Sequence, residues 1–418
     1  MRRTLAGLPR SLTVTDTANA LMQNRINISI IFNYLRDRGI AYRAQIARDL
    51  GISAPAVSRA IERLLKDEYV IESERVQVGT GKKAAQVSVN SGRGYIVGVD
   101  TLADPIKIAI SDFAGMLQQQ SVAAPFDGSS AFSDHLIASI RSAIADFSLE
   151  ASEAALNLLA IGIGVPAVVD PQTGAILNAS LYESLSTTNL PESLRLAFDV
   201  PIYIENISNL ASIGEWKRGA GRDTRNMVFI EIGNGIGAGI ILDGSLHRGP
   251  QGTAGEIGYF ITEPSGLGFD SSRGGYLERR ASLSAFGSAG QGPAGPVPAG
   301  KVPGLAGFSS ATALFEAAGK GDAEAISIIA KAVGHLALAT VNLMILLNPE
   351  LVVIGGTASE IPGAEGLMLR PLIEEVERSY PFPPATIKLS SLGSKASLFG
   401  AVQFALDSLV VHAYPYRL

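Results

Sequence analysis

Ser58, Arg59, Arg63 and Lys66 fall on one face of the run Ser53–Lys66, and Val57, Ile61, Leu64 and Leu65 fall on the other. That apolar spacing marks an amphipathic helix with a buried stripe. Its open face presents hydroxyl and guanidinium donors, the groups that grip phosphate oxygens and read guanine edges. Ser53 is placed to cap the helix with its hydroxyl. Pro55 sits in the first turn, where a missing N–H costs nothing. Two further cations, Lys82 and Lys83, lie in the glycine-flanked loop Gly79–Lys83. A second chemistry is signalled between Glu231 and Ile240, where Gly233, Gly235, Gly237 and Gly239 let backbone N–H groups come close to an anion.

The elements that must position these residues can be read around them. Ala41–Leu50 reads as one short helix and Gly51–Ser53 as a turn. Ala47, Gly51 and Val57 supply a small contact, a left-handed turn residue and an apolar anchor for two steeply crossing helices. Asn24–Arg38 carries Ile28, Ile31, Phe32 and Leu35 on one helical face and can support the pair. Tyr69–Glu72 and Ala84–Val89 read as two short strands flanking the basic loop. The whole is a winged helix-turn-helix over residues 21–90, with Lys82 and Lys83 at the tip of the wing. Candidate DNA contacts are Arg43, Ser53, Ser58, Arg59, Arg63, Lys82 and Lys83. Residues 1–20 carry little pattern and are expected to form a mobile arm.

Charge follows the same division. Residues 1–90 hold 14 Lys and Arg against 8 Asp and Glu, a net +6. The chain's 34 basic and 39 acidic residues leave 20 and 31 for the remainder, a net −11. A basic head on an acidic body fits a chain in which only the head touches phosphates. The length of 418 residues suggests two or three domains, and 47% hydrophobic content argues for well-filled cores. With no cysteine, disulfides and thiolate metal sites are excluded. The N-terminus has no apolar stretch adequate for a signal peptide, and the apolar helix near Leu336–Leu347 is short and broken by Asn342. A cytoplasmic protein with no membrane partner is therefore expected.

The body reads as α/β. Strands are expected at Tyr95–Asp100, Ile106–Asp112, Leu158–Val165, Pro201–Asn206, Met227–Ile232, Gly239–Leu242 and Leu351–Gly356, and helices near 131–147, 210–217 and 323–347. The Gly/Pro/Ala-rich stretch 287–304, with almost no charge, reads as a flexible insertion. Gly233, Gly235 and Ala238 fit a dinucleotide fingerprint by spacing, but that fingerprint needs a helix next. Here strand formers follow, then the hairpin signal Asp243-Gly244. Strand, glycine loop and strand is instead the order of an actin-like phosphate loop.

Several segments jointly resemble the ROK family (repressors, open reading frames, kinases), in its winged-helix transcriptional branch. They are Gly164-Val-Pro-Ala-Val-Val-Asp170 with Thr173-Gly174, Pro201–Asn206 with Asn209 and Ala211, Gly255-Glu-Ile-Gly258, and Asn348–Gly356. The resemblance covers nearly the whole chain. It implies two actin-like (ribonuclease H-like) lobes behind the head: a first over 91–206, completed by 395–418, and a second over 207–394. A C-terminal helix near 398–411 would return to the first lobe.

Departures from the family pattern decide the expected function. Family kinases read Asp-x-Gly-Gly-Thr in the first hairpin; this chain reads Asp100-Thr-Leu-Ala-Asp104. The family's catalytic Asp follows Glu-Asn; here the position is Ile207, which cannot accept a hydroxyl proton. The family's zinc ligands map to Tyr259, Phe269, Ser271 and Tyr276, none of them a thiolate or imidazole, although Leu277-Glu278 keeps the segment recognisable. Aromatic packing is expected to replace the metal. The chain is thus expected to be no enzyme, without cofactor or metal. It is read as a DNA-binding regulator, a repressor acting as a homodimer or dimer of dimers on a pseudo-palindromic operator. The resemblance implies a sugar or sugar phosphate effector in the interlobe cleft, held by Asn178, Ser180, Asn206 and Glu256. Two alternatives stay open: a ROK-type sugar kinase carrying a DNA-binding head, and a ligand-independent regulator with a silent cleft.

Overall fold

A computed structural model describes residues 12–73, 85–102, 105–150, 157–178, 189–271, 274–286, 291–292, 295–296, 308–383 and 386–413. In the head, helix α1 (Leu12–Arg38) packs on α2 (Arg43–Leu50) and α3 (Ala54–Lys66). The stretch Leu12–Arg38 contains neither Gly nor Pro, so the helix begins well before Asn24 and takes in residues 12–20, which were expected in the arm. Gly39, at φ 84°, stops it. Ile28, Ile31, Phe32 and Leu35 are buried, as their spacing predicts. Gly51 adopts φ 65° and closes α2 by donating its N–H to the Ala47 carbonyl.

Three short strands complete the head: β1 (Ile40–Tyr42), β2 (Val70–Glu72) and β3 (Gln86–Val89), in the order β1-β3-β2. The first was read as the start of a helix. Ala41 instead pairs with Val87 and is buried there, which holds residues 40–42 extended. Lys82 and Lys83 lie outside the described residues.

Two five-stranded sheets of the same design follow. The first contains β4 (Tyr95–Asp100), β5 (Lys107–Asp112), β6 (Leu117–Val122), β7 (Leu158–Val165) and β10 (Ile202–Asn206), in the order β10-β7-β4-β5-β6. A small ribbon, β8 (Val168–Val169) with β9 (Ile176–Asn178), extends from β7. The second contains β11 (Met227–Ile232), β12 (Ile236–Leu242), β13 (Ser245–Leu246), β14 (Leu351–Gly355) and β15 (Thr386–Leu389), in the order β13-β12-β11-β14-β15. Each sheet joins an antiparallel meander to a parallel pair on the other side of its first strand. This is the duplicated actin-like design that the resemblance implied.

Helices α4 (Phe132–Glu150) and α5 (Leu190–Ala197) cover one face of the first sheet. Helix α6 (Ile207–Arg218) leaves the end of β10 and packs along β12. In the second lobe, α7 (Ala311–Gly319), α8 (Ala323–Leu347) and α9 (Arg370–Ser379) share one apolar core. Helix α8 is long and apolar enough to cross a membrane by composition alone, but Ile329, Ala332, Leu336, Leu343 and Met344 are buried in that core. The insertion expected over 287–304 lies outside the described residues except for the pairs 291–292 and 295–296.

The C-terminal helix α10 (Ala396–Ala413) returns to the first lobe and crosses α6 very closely. A Cβ on Gly214 would stand 2.0 Å from the Ala396 carbonyl oxygen, and one on Gly400 1.8 Å from that of Leu210. Val402, Ala405, Leu406 and Val410 of α10 join Phe113 and the head residues Phe32 and Tyr69 in one apolar cluster. The rings of Phe32, Tyr69 and Phe113 lie 5.2–5.9 Å apart, and the Arg93 guanidinium sits 4.5 Å from the Tyr69 ring centre. Buried Arg36 of α1 pairs with Asp407 at 2.6 Å. The head is therefore cemented to the first lobe rather than tethered to it.

Candidate functional site

The candidate DNA-reading helix is α3. Val57, Ile61 and Leu64 are fully buried, while Arg59, Glu62, Arg63 and Lys66 are exposed. Ser58 is half-buried beside Arg59. Ser53 stands at the N-cap in an extended conformation, but its hydroxyl makes no cap bond. The second helical residue is Pro55, which has no N–H to offer. The Ala56 and Val57 N–H groups donate to the Ser53 carbonyl instead, at 2.9 and 3.0 Å. Its exposed hydroxyl thus remains on the open face. Arg43, expected at the DNA, donates from Nε and Nη2 to Glu72 Oε1 at 2.9 and 2.7 Å. That pair ties the half-buried guanidinium at the start of α2 to β2, and Glu62 of α3 lies 3.9 Å from its Nη1. Arg63 Nε bonds Asp67 one turn on, at 2.8 Å.

The cleft opens between the two sheets where β10 passes into α6. Asn206 caps α6: its Oδ1 accepts from the Ser208 and Asn209 N–H groups at 2.8 and 3.2 Å. That cap starts the helix three residues before the Leu210 expected from apolar spacing. The Asn206 Nδ2 donates to the Ala167 carbonyl at 3.1 Å and reaches Glu256 Oε1 at 3.4 Å. The same amide therefore builds the helix start and joins the cleft walls. Glu205 is tied off by Asn209 at 2.9 Å and Arg248 at 2.5 Å. Asn178 ends β9 opposite Val168 of the cleft wall. Ser180 lies outside the described residues.

Two more acids line the cleft, and sequence reading assigned neither a role. Glu231 accepts from the Ser208 hydroxyl at 2.7 Å. Glu278 accepts from the Ile236 N–H at 3.1 Å and the Gly275 N–H at 3.2 Å. Burial pushes the Glu231 carboxyl up to about 7; the Ser208 bond opposes this and the Asp100 charge adds to it. Burial, aided by the charge of Glu278, likewise raises Glu256 to about 7. Burial raises Glu278 against its two N–H donors. The sequence signal for Glu231 was a charge inside the apolar run Met227–Ile232, just before a glycine turn.

The first hairpin is unlike a phosphate loop. Asp100 accepts from the Leu102 N–H at 2.8 Å and from the Ser397 hydroxyl, and the Leu102 side chain lines the cleft. Ile207 is buried, its Cδ1 2.4 Å from where a Cβ on Gly164 would stand. It fills space and offers no base. In the region of the family's zinc, Phe269 and Tyr276 stack edge to face at 5.2 Å. Arg279 lies 5.1 Å over Phe269, Arg280 lies 3.6 Å over Tyr276, and the Tyr276 hydroxyl donates to Glu263. These residues do not fit a zinc ion; they form an aromatic and cationic stack in its place.

Comparison with known proteins agrees with this geometry. The ROK family model matches residues 96–408, and a winged helix-turn-helix DNA-binding model matches residues 23–71. The chain is 26% identical over 396 residues to the xylose repressor of Caldicellulosiruptor bescii, covering 94% of this chain and 98% of that one. It is 23% identical over 361 residues to the DNA-binding transcriptional repressor Mlc of Escherichia coli, covering 85% and 86%. A glucokinase of Halalkalibacterium halodurans is 31% identical over 252 residues, covering 58% of this chain and 75% of the kinase. A crystal structure of a ROK family transcriptional regulator, a homologue of E. coli MLC, superposes with TM-score 0.71 at 20% identity, covering 94% and 99%. A Streptomyces griseus ROK glucokinase with glucose and AMPPNP gives 0.56 at 24% identity, covering 75% and 99%. With three quarters of its length matching that family model and a winged helix-turn-helix in front of it, the chain belongs to the ROK family.

Proposed function

We propose that this chain is a transcriptional repressor that binds operator DNA through α3 and the wing, and releases it when a sugar enters the interlobe cleft. The observation that carries this reading is the path from cleft to head. Helix α6 starts at Asn206 in the cleft and runs 12 residues, about 18 Å. At its far end Lys217 Nζ lies 4.0 Å from Asp37 of the head helix α1. Helix α10 runs alongside, with Ser397 bonded to Asp100 near the cleft and Asp407 bonded to Arg36 of the head. The two helices touch through Gly214 and Gly400, so neither can slide without moving the other. A ligand that closes the lobes therefore turns the head, a shift of population between two head orientations.

The two repressors compared above align with 94% and 85% of this chain, whereas the glucokinase aligns with 58%. Together with Ile207 at the kinase base position and Leu102 in the first hairpin, this supports a regulator without phosphoryl transfer. Symmetric operator reading supports a homodimer, and a DNA partner supports a cytoplasmic chain.

The test uses wild type and Glu256→Gln on one operator. Wild type should lose DNA affinity on adding the sugar. The variant should bind DNA equally well and lose about 1–3 kcal/mol of sugar affinity, because an amide NH2 donor replaces one carboxylate oxygen that accepts from ligand hydroxyls. An unchanged sugar response in a folded variant would place the effector elsewhere. Turnover of ATP with a hexose by kinase-free protein would favour the kinase alternative.

A further inference from the structure

The described lining of the cleft holds three acids. Glu231, Glu256 and Glu278 line it, and among its described lining residues there is no Lys, Arg or His. The sequence of the surrounding loops extends this: no Lys or Arg occurs between Arg141 and Arg195, between Arg225 and Arg248, or between Arg248 and Arg273. Among the described residues, the neighbouring cations are committed elsewhere. Lys107 belongs to the adjoining cavity and pairs with Glu360 at 3.8 Å. Arg248 pairs with Glu205, and Arg279 and Arg280 cover the Phe269 and Tyr276 rings.

Two N–H groups of the glycine turn that could otherwise face an anion already serve internal acceptors. The Ile236 N–H is held by the Glu278 carboxylate, and the Gly233 N–H by the Gly235 carbonyl at 2.9 Å. Immediately before that turn stands Glu231, buried at the floor of the cleft and fixed by Ser208. Once these raised carboxyls are ionised, a phosphoryl group here would meet like charge in a low-dielectric site with no cation among the described lining residues, which is strongly repulsive. Sugar hydroxyls, by contrast, are donors that buried carboxylates accept well.

Resting on the reading of the cleft as the effector site, we propose that it selects an unphosphorylated, hydroxyl-rich ligand and excludes sugar phosphates. Glu231 is the residue that sets this exclusion. It narrows the ligand from the sugar or sugar phosphate that the sequence left open to the neutral class.

The experiment is calorimetry on the full chain with matched pairs: xylose and xylose 5-phosphate, glucose and glucose 6-phosphate, N-acetylglucosamine and its 6-phosphate. In any pair that binds, the phosphorylated member should bind at least tenfold more weakly. Glu231→Gln, which keeps the side chain's shape, should shrink that ratio at least threefold. Leu102→Lys, on the half-buried cleft lip, should shrink it by supplying a counter-cation, and serves if Glu231→Gln does not fold. A phosphorylated sugar binding as tightly as its neutral partner to wild type would overturn the exclusion while leaving the cleft as the effector site. A ratio unmoved by Glu231→Gln in folded protein would overturn the role of Glu231. Binding of no member of any pair would overturn the cleft reading, and this inference with it.

Discussion

Replacing Glu231 by Gln should make the protein more stable at pH 8 and leave it nearly unchanged at pH 4.5. The side chain is 7% exposed, and burial raises its carboxyl from an ordinary 4.5 to about 7. Below pH 4.5 the group is protonated in both folded and unfolded chains and contributes no pH dependence. Between 4.5 and 7 the folded chain holds a proton that the unfolded chain has lost, so stability falls as pH rises. Above 7 both states are ionised, and the folded state carries the full cost of a buried charge. A difference of about 2.5 units at 1.36 kcal/mol each is about 3 kcal/mol. Gln keeps the acceptor for the Ser208 hydroxyl and carries no charge. The assay is urea unfolding of wild type and variant from pH 4.5 to 8.5, followed by circular dichroism. The difference between them should grow from near zero to about 3 kcal/mol and flatten above pH 7. Glu256, raised to about 7 by the same burial, gives both proteins a common slope that the subtraction removes. A variant less stable than wild type at every pH would refute the reasoning, since Glu231 would then be a net stabilising ion.

Further predictions follow from other parts of the structure. Arg59→Ala, at an exposed position of α3, should cost about 1–3 kcal/mol on the operator and less on random DNA, read by fluorescence anisotropy; equal losses would remove Arg59 from base reading. Gly400→Ala sets a methyl 1.8 Å from the Leu210 carbonyl oxygen, so it should lower the melting temperature by many degrees; a melting temperature within 2 °C of wild type, by scanning fluorimetry, would contradict the tight crossing of α6 and α10. Asp407→Asn leaves the buried Arg36 guanidinium without its closest carboxylate and should cost about 3 kcal/mol, with the head's amides gaining hydrogen exchange before those of the second lobe; uniform loss of protection would mean that the joint is no weak point.

The legible parts of the sequence were those with local physics. The apolar stripe of α3, the Gly51 turn and the strand–glycine–strand order at 227–242 all needed only neighbours in the chain. Resemblance supplied the pairing of the two lobes, whose identical strand order leaves no visible internal repeat. What escaped was set by distant partners. β1 is a strand only because β3, more than 40 residues on, offers it an edge. The pairing of Arg43 with Glu72 was not legible because Glu72 is remote in sequence. Glu231 and Glu278 became cleft residues only when α6 and the glycine turn were brought together. Ser53 was misread for a local reason, since Pro55 removes the N–H its hydroxyl was expected to bind.

The most direct test is to select genomic DNA fragments on the purified chain and measure their release by neutral sugars. The account predicts recovery of a pseudo-palindromic sequence, lost with Arg59→Ala, and at least one sugar that weakens binding tenfold in wild type but not in Glu256→Gln. Fragments without a shared sequence, or a shared site that no sugar releases, would contradict it.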